Sequence, residues 1–143
     1  MKPLARPAAA GPGTVASHGV EWLVEAFGCE PARLADPAAL AALFDDLVRE
    51  LDLHPVAPTL WHRFAAGAPG SAAPGGVTGL CALAESHLAV HTFPEHGSLC
   101  LNVFCCRPRP ERDVAGILRR HVGAADVAVR RIERRYAGRE TGR

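Results

Sequence analysis

Two extended runs, GVTGLCALAESHLAVHTF (76–93) and SLCLNVFCC (98–106), flank Pro94-Glu95-His96-Gly97 and constrain this chain more than any other feature. Pro and Gly in that linker supply turn chemistry, so the second run is expected to return beside the first as a hairpin strand. Within it Leu99, Leu101 and Val103 share one side, and Cys100 and Phe104 share the other. A strand apolar on both sides needs cover on both, and a second subunit is expected over one face.

The remaining segments fit around that hairpin. VEWLVEAFG (20–28) and PTLWHRF (58–64) have strand composition, and DVAVRRIERR (126–135) alternates as a last strand. Asp36-Pro37 opens a helix whose Leu40, Leu43, Phe44, Leu47 and Leu51 recur at helical spacing, and His54-Pro55 ends it. A second helix is expected over 111–121, with Val114, Ile117, Leu118 and Val122 on one face and Gly123 as its stop. The order is β-α-β-β-β-α-β. It predicts an α+β fold: a two-layer sandwich of a mostly antiparallel, four-to-five-stranded sheet with two helices on one face. The expected organisation is a flexible N-terminal leader (1–18), one domain (19–136) and a flexible tail (137–143). AAGAPGSAAPGG (65–76) is a long loop, read as a surface insertion or a lid.

Composition excludes several functions. The formal net charge is +1, which offers nucleic acid no bulk attraction. No apolar run approaches the ~20 residues of a membrane span, and the N-terminal segment lacks an apolar signal core, so a cytoplasmic protein is expected. Five cysteines, an odd number scattered through apolar segments, suit reduced thiols. The only lysine is Lys2, so no lysine is placed in the domain to hold pyridoxal phosphate.

Against this background Glu85, Ser86, His87 and His91 are costly residues to run through a sheet. Singly, each has an ordinary structural explanation. A zinc site from His87, His91, His96, Cys105 and Cys106 lacks ligand-pair spacing, and no metal is expected. A serine hydrolase would place its nucleophile in GxSxG, which is absent here.

Taken together, AESHLAVHTFPEHG followed by VFCC, with GVTG and WHRF upstream, resembles the small prokaryotic S-adenosylmethionine decarboxylase proenzymes. His91 lies five residues after Ser86 and Cys106 twenty after it, which is the family spacing. The resemblance implies that the Ser86 hydroxyl attacks the Glu85 carbonyl, the chain breaks between 85 and 86, and Ser86 becomes a pyruvoyl group. That self-generated cofactor would form a Schiff base with the amine of S-adenosylmethionine and support its decarboxylation, feeding spermidine and other polyamine synthesis. By the same resemblance His91 is the processing proton acceptor, Thr78 assists processing, and Cys106 is the proton donor. Phe64 and Phe93 would sandwich the adenine, Glu95 would bind the ribose, and the enzyme would be a homodimer of cleaved αβ protomers.

The chain departs from the family pattern at Phe93, His96, Asn102, Cys105 and Arg107. Asn102 stands where an aspartate is usual, and Arg107 adds positive charge after the key cysteine. A pyruvoyl decarboxylase of arginine or ornithine, and a non-catalytic nucleoside-binding homologue, are the alternatives. Because Ser86 and His91 differ in strand parity, their cooperation calls for a turn or bulge near Ser86, at a scissile bond in a strained turn.

Overall fold

The computed structural model describes residues 18–67, 70 and 72–137. The expected leader, apart from His18, and all but the first residue of the expected tail lie outside these. The chain forms β1 (His18–Phe27), α1 (Pro31–Leu34), α2 (Pro37–Glu50), β2 (Leu60–Arg63), β3 (Val77–Leu83), β4 (Ser86–Phe93), a 3-10 turn (Pro94–His96), β5 (Ser98–Cys105), α3 (Val114–Val122) and β6 (Asp126–Arg135). The strands make one sheet in the order β2-β3-β4-β5-β1-β6, antiparallel at every pairing.

The α+β class and antiparallel sheet agree with the sequence expectation, with one correction. The sheet has six strands because 77–93 is two strands joined by Ala84-Glu85, with Leu83 opposite Ser86. A third, one-turn helix, α1, precedes the two expected ones. Helix α2 starts where its cap requires: the Asp36 carboxylate accepts from the Ala38 N–H at 2.9 Å, and Pro37 follows. Helix α3 starts at Val114 rather than 111, because Asp113 caps it by accepting from the Gly116 N–H at 2.8 Å.

Alternation divides the sheet into two faces. Val20, Trp22 and Val24 of β1, Leu88 and Val90 of β4, and Leu99, Leu101 and Val103 of β5 join the apolar stripes of α2 and α3 in one core. Each leucine so buried contributes roughly 1.5–3 kcal/mol. Thr92 is the polar member of this face, and it is satisfied: its hydroxyl accepts from the Val77 N–H at 2.8 Å and donates to the Leu34 carbonyl at 2.7 Å. Gly79 matters for the β2–β3 edge. A Cβ there would lie 2.3 Å from the Trp61 ring, which instead packs down on Phe44 with centroids 4.9 Å apart.

The opposite face carries Thr78, His87, His91, Asn102 and Phe104, all partly exposed, and Cys100, exposed. Among the described residues no helix or strand covers it. No helix among them is long and apolar enough to cross a membrane.

Candidate active site

The sequence-predicted residues fall into two groups at opposite ends of β4. The first surrounds the turn that begins the strand. Ser86 has φ 153°, a conformation that L residues rarely adopt; such a backbone costs about 1–3 kcal/mol and persists only where its surroundings hold it. They do so here through Glu85. Its main-chain carbonyl, the acyl half of the bond before Ser86, accepts from the Cys106 N–H at 2.7 Å. Its buried carboxylate accepts from the His54 backbone N–H at 3.0 Å, meets the His54 imidazole through Nδ1, and accepts from Arg109 Nη2 at 3.3 Å. Burial pushes the Glu85 carboxyl up, but the hydrogen bonds from His54 outweigh it and leave the group below the ordinary value. The Ser86 hydroxyl lies 3.2 Å from His87 Nδ1.

The adjacent cysteines differ in burial, Cys105 closing β5 and Cys106 following it. Cys105 points into the core, and burial pushes its thiol up to about 11, so it is protonated and inert at neutral pH. Cys106 is only half-buried and neighbours the Glu85 carbonyl through its own backbone. Of the two thiols, it is the more exposed.

The second group surrounds His91, five residues further along β4. Thr78 Oγ1 and His91 Nδ1 lie 2.6 Å apart across the β3–β4 ladder. The Phe64 and Phe93 rings meet the His91 ring edge-on, with centroids at 5.6 and 4.7 Å. A cleft of about 450 Å³ opens beside them, lined by Phe64, Gly75, Gly76, His91, Thr92 and the exposed Glu95 of the 3-10 turn. Gly76 admits the chain here, because a Cβ would lie 2.2 Å from the Thr92 carbonyl oxygen. His91 also borders a cleft of about 330 Å³ on the open sheet face, beside Thr78, Ala89, Cys100 and Asn102.

Ser86, Glu85 and Cys106 are therefore together, and so are Thr78, His91, Phe64, Phe93 and Glu95. One chain does not bring the two groups into contact. A turn does precede Ser86, as the parity argument asks, but β4 then runs on to His91, roughly 16 Å away at ~3.3 Å per residue. His54 and Arg109 escaped the sequence reading because they lie in connecting segments with no fixed spacing to Glu85. Arg107 is exposed and lines neither cleft.

Comparisons with known proteins agree on one family. The family model described as S-adenosylmethionine decarboxylase matches residues 20–135. The S-adenosylmethionine decarboxylase proenzyme of Prochlorococcus marinus (strain MIT 9313) is 33% identical over 118 residues, covering 81% of this chain and 86% of that protein. The proenzyme of Pyrococcus furiosus is 34% identical over 102 residues, covering 70% of this chain and 67% of that protein. The crystal structure of the adenosylmethionine decarboxylase from Aquifex aeolicus VF5 superposes with a TM-score of 0.67 at 19% identity, covering 90% of this chain and all of that one, a likeness of fold.

Proposed function

The chain belongs to the S-adenosylmethionine decarboxylase family, and on that premise we propose that it is a proenzyme that cuts itself between Glu85 and Ser86 and then decarboxylates S-adenosylmethionine. The observation that carries this reading is the φ of Ser86, forced into a rare conformation directly after a carbonyl already held by the Cys106 N–H. The Ser86 hydroxyl adds to the Glu85 carbonyl carbon, and negative charge develops on the oxygen that Cys106 N–H contacts, as in an oxyanion hole. Breaking the C–N bond gives an ester between Glu85 and Ser86 and a free amine at Ser86. Removal of the Ser86 α-proton by His91 then breaks the Oγ–Cβ bond and expels the main-chain carboxylate of Glu85, leaving dehydroalanine at residue 86, which water converts to a pyruvoyl group with loss of ammonia.

A pyruvoyl carbonyl supplies an electron sink for loss of carbon dioxide from a bound amine. Ser86 fits this role because it heads β4 on the turn, beside a half-buried Cys106 that serves as the proton donor. Phe64 and Phe93 offer flat rings to the adenine beside the 450 Å³ cleft, and Glu95 offers acceptors to the ribose hydroxyls. Thr78 orients His91.

The active form is a homodimer. The open sheet face carries His91 and Thr78, while Ser86 is roughly 16 Å from His91 in its own chain at ~3.3 Å per residue. Two copies meeting through this face set His91 and Thr78 of one beside Ser86 and Cys106 of the other. Free thiols at all five cysteines suit a reducing, cytoplasmic setting.

Carbon dioxide release from S-adenosylmethionine, arginine and ornithine tests the substrate. Turnover of S-adenosylmethionine alone is expected. Turnover of a basic amino acid in its place would reassign the enzyme, and turnover of none would leave a ligand-binding homologue.

A further inference from the structure

His87 follows the scissile residue and has no role in the reading above, yet it is the side chain nearest the Ser86 hydroxyl among the hydrogen bonds of this turn. Its Nδ1 lies 3.2 Å from Ser86 Oγ, and its Nε2 lies 2.8 Å from Asn102 Oδ1. The amide of Asn102 is not free to turn over, because its Nδ2 donates to Glu21 Oε1. A carboxylate only accepts, so Nδ2 must face Glu21 and Oδ1 must face His87. An amide oxygen also only accepts, so the hydrogen of the neutral imidazole is held on Nε2. The lone pair is then on Nδ1, directed at the Ser86 hydroxyl.

The far end of this chain of contacts is anchored as an anion. The second oxygen of Glu21 is bonded by Arg134 Nη1. Burial pushes the Glu21 carboxyl up, but bonds from Asn102 and Arg134 outweigh it and hold the group below its ordinary value. The Arg134 guanidinium lies 5.1 Å over the Phe104 ring, which meets the His87 ring at 5.9 Å. The imidazole is thus fixed by a hydrogen bond at one edge and an aromatic contact on its side.

We propose that His87 is the general base that takes the proton from the Ser86 hydroxyl in the acyl shift that opens self-cleavage, with Asn102 and Glu21 as positioning residues. This rests on the self-cleavage reading. The proton moves from Ser86 Oγ to His87 Nδ1 as Oγ bonds to the Glu85 carbonyl carbon. When the C–N bond breaks, the same proton passes from His87 to the departing nitrogen, so His87 ends neutral. His91 acts only afterwards, on the Ser86 α-proton. Asn102 is on this account a fixed amide that sets the tautomer of His87.

The full chain, made by cell-free synthesis and followed by intact mass, separates the steps. His87→Ala should cleave about 100-fold more slowly than wild type, and added imidazole should restore cleavage. His87→Gln keeps hydrogen bonding to both neighbours but accepts no proton, so it should be as slow as His87→Ala. Asn102→Leu should slow cleavage, and Asn102→Asp, which keeps an acceptor for Nε2, should recover part of it. Hydroxylamine, which cuts esters, should release 1–85 from His91→Ala but not from His87→Ala, in which ester formation limits the rate and no ester accumulates. Wild-type rates in both His87 variants, or equal hydroxylamine sensitivity in His87→Ala and His91→Ala, would overturn the proposal. A wild-type chain that never cleaves, like Ser86→Ala, would instead overturn the self-cleavage reading beneath it.

Discussion

The two ends of β4 are built by different means. The Ser86 end is local and polar: a two-residue turn, a rare backbone angle and a buried carboxylate gripped by His54 and Arg109. The His91 end is open and aromatic: Phe64, Phe93 and Glu95 beside a long loop, with Thr78 as the one short polar contact to the imidazole. A turn that must hold strain needs a rigid frame, whereas a site that must admit a nucleoside needs surface and flat rings. Neither end is a complete site, and the β4 backbone keeps them apart. On the proposed function, one copy holds the bond to be broken and a second copy presents the base that finishes breaking it.

The largest effect is expected from complementation between two defective chains. Ser86→Ala and His91→Ala should each abolish cleavage alone. Co-expressed, they should restore it, and only in the His91→Ala chain, whose Ser86 meets His91 of its companion. A mixture that stays whole would place the site within one chain. Next in size is the contrast between neighbouring thiols. Cys106→Ala should still cleave but lose about 100-fold in turnover. Cys105→Ala should keep turnover and lose about 1 kcal/mol of stability in denaturant titration, because it only packs the core.

Thr78→Val removes the hydrogen bond to His91 and leaves the strand pairing intact. Cleavage should slow about tenfold, the kinetic equivalent of one ordinary hydrogen bond. The smallest effect is expected at the polar end. His54→Ala should cost about 0.5–1.5 kcal/mol at neutral pH. The sign of its pH dependence follows from the lowered Glu85 carboxyl. That stabilisation is present in full above the unfolded carboxylate value of 4.5 and is lost as pH falls through the lower folded value. Thermal melts below pH 4.5 should therefore fall more steeply in wild type than in His54→Ala.

Much of this was legible in the chain itself. Asp36-Pro37 and the leucine stripe located α2, strand composition located β1, the turn chemistry of 94–97 located β5, and alternation located β6. The break between β3 and β4 was legible only through the opposite strand parity of Ser86 and His91 and not from turn residues, because Ala84-Glu85 has none of the Gly, Asn, Asp or Pro that mark tight turns. The positive φ is instead borne by a serine, a local choice that conflicts with turn propensity and fits a functional strain. Helix α1 is one turn long and too short for periodicity to register. At the site, the family resemblance singled out Ser86, His91 and Cys106, but the partners that hold them are distant in sequence. Glu21, 81 residues from Asn102, and His54, 31 from Glu85, become neighbours only through the sheet order and the loop after α2.

Intact mass analysis of the purified wild-type chain reads self-cleavage and the new N-terminus together. Two fragments, 1–85 and 86–143, are expected, the second lighter than its encoded sequence by the conversion of an N-terminal serine to a pyruvoyl group. A single uncut chain of 143 residues after long incubation would contradict it.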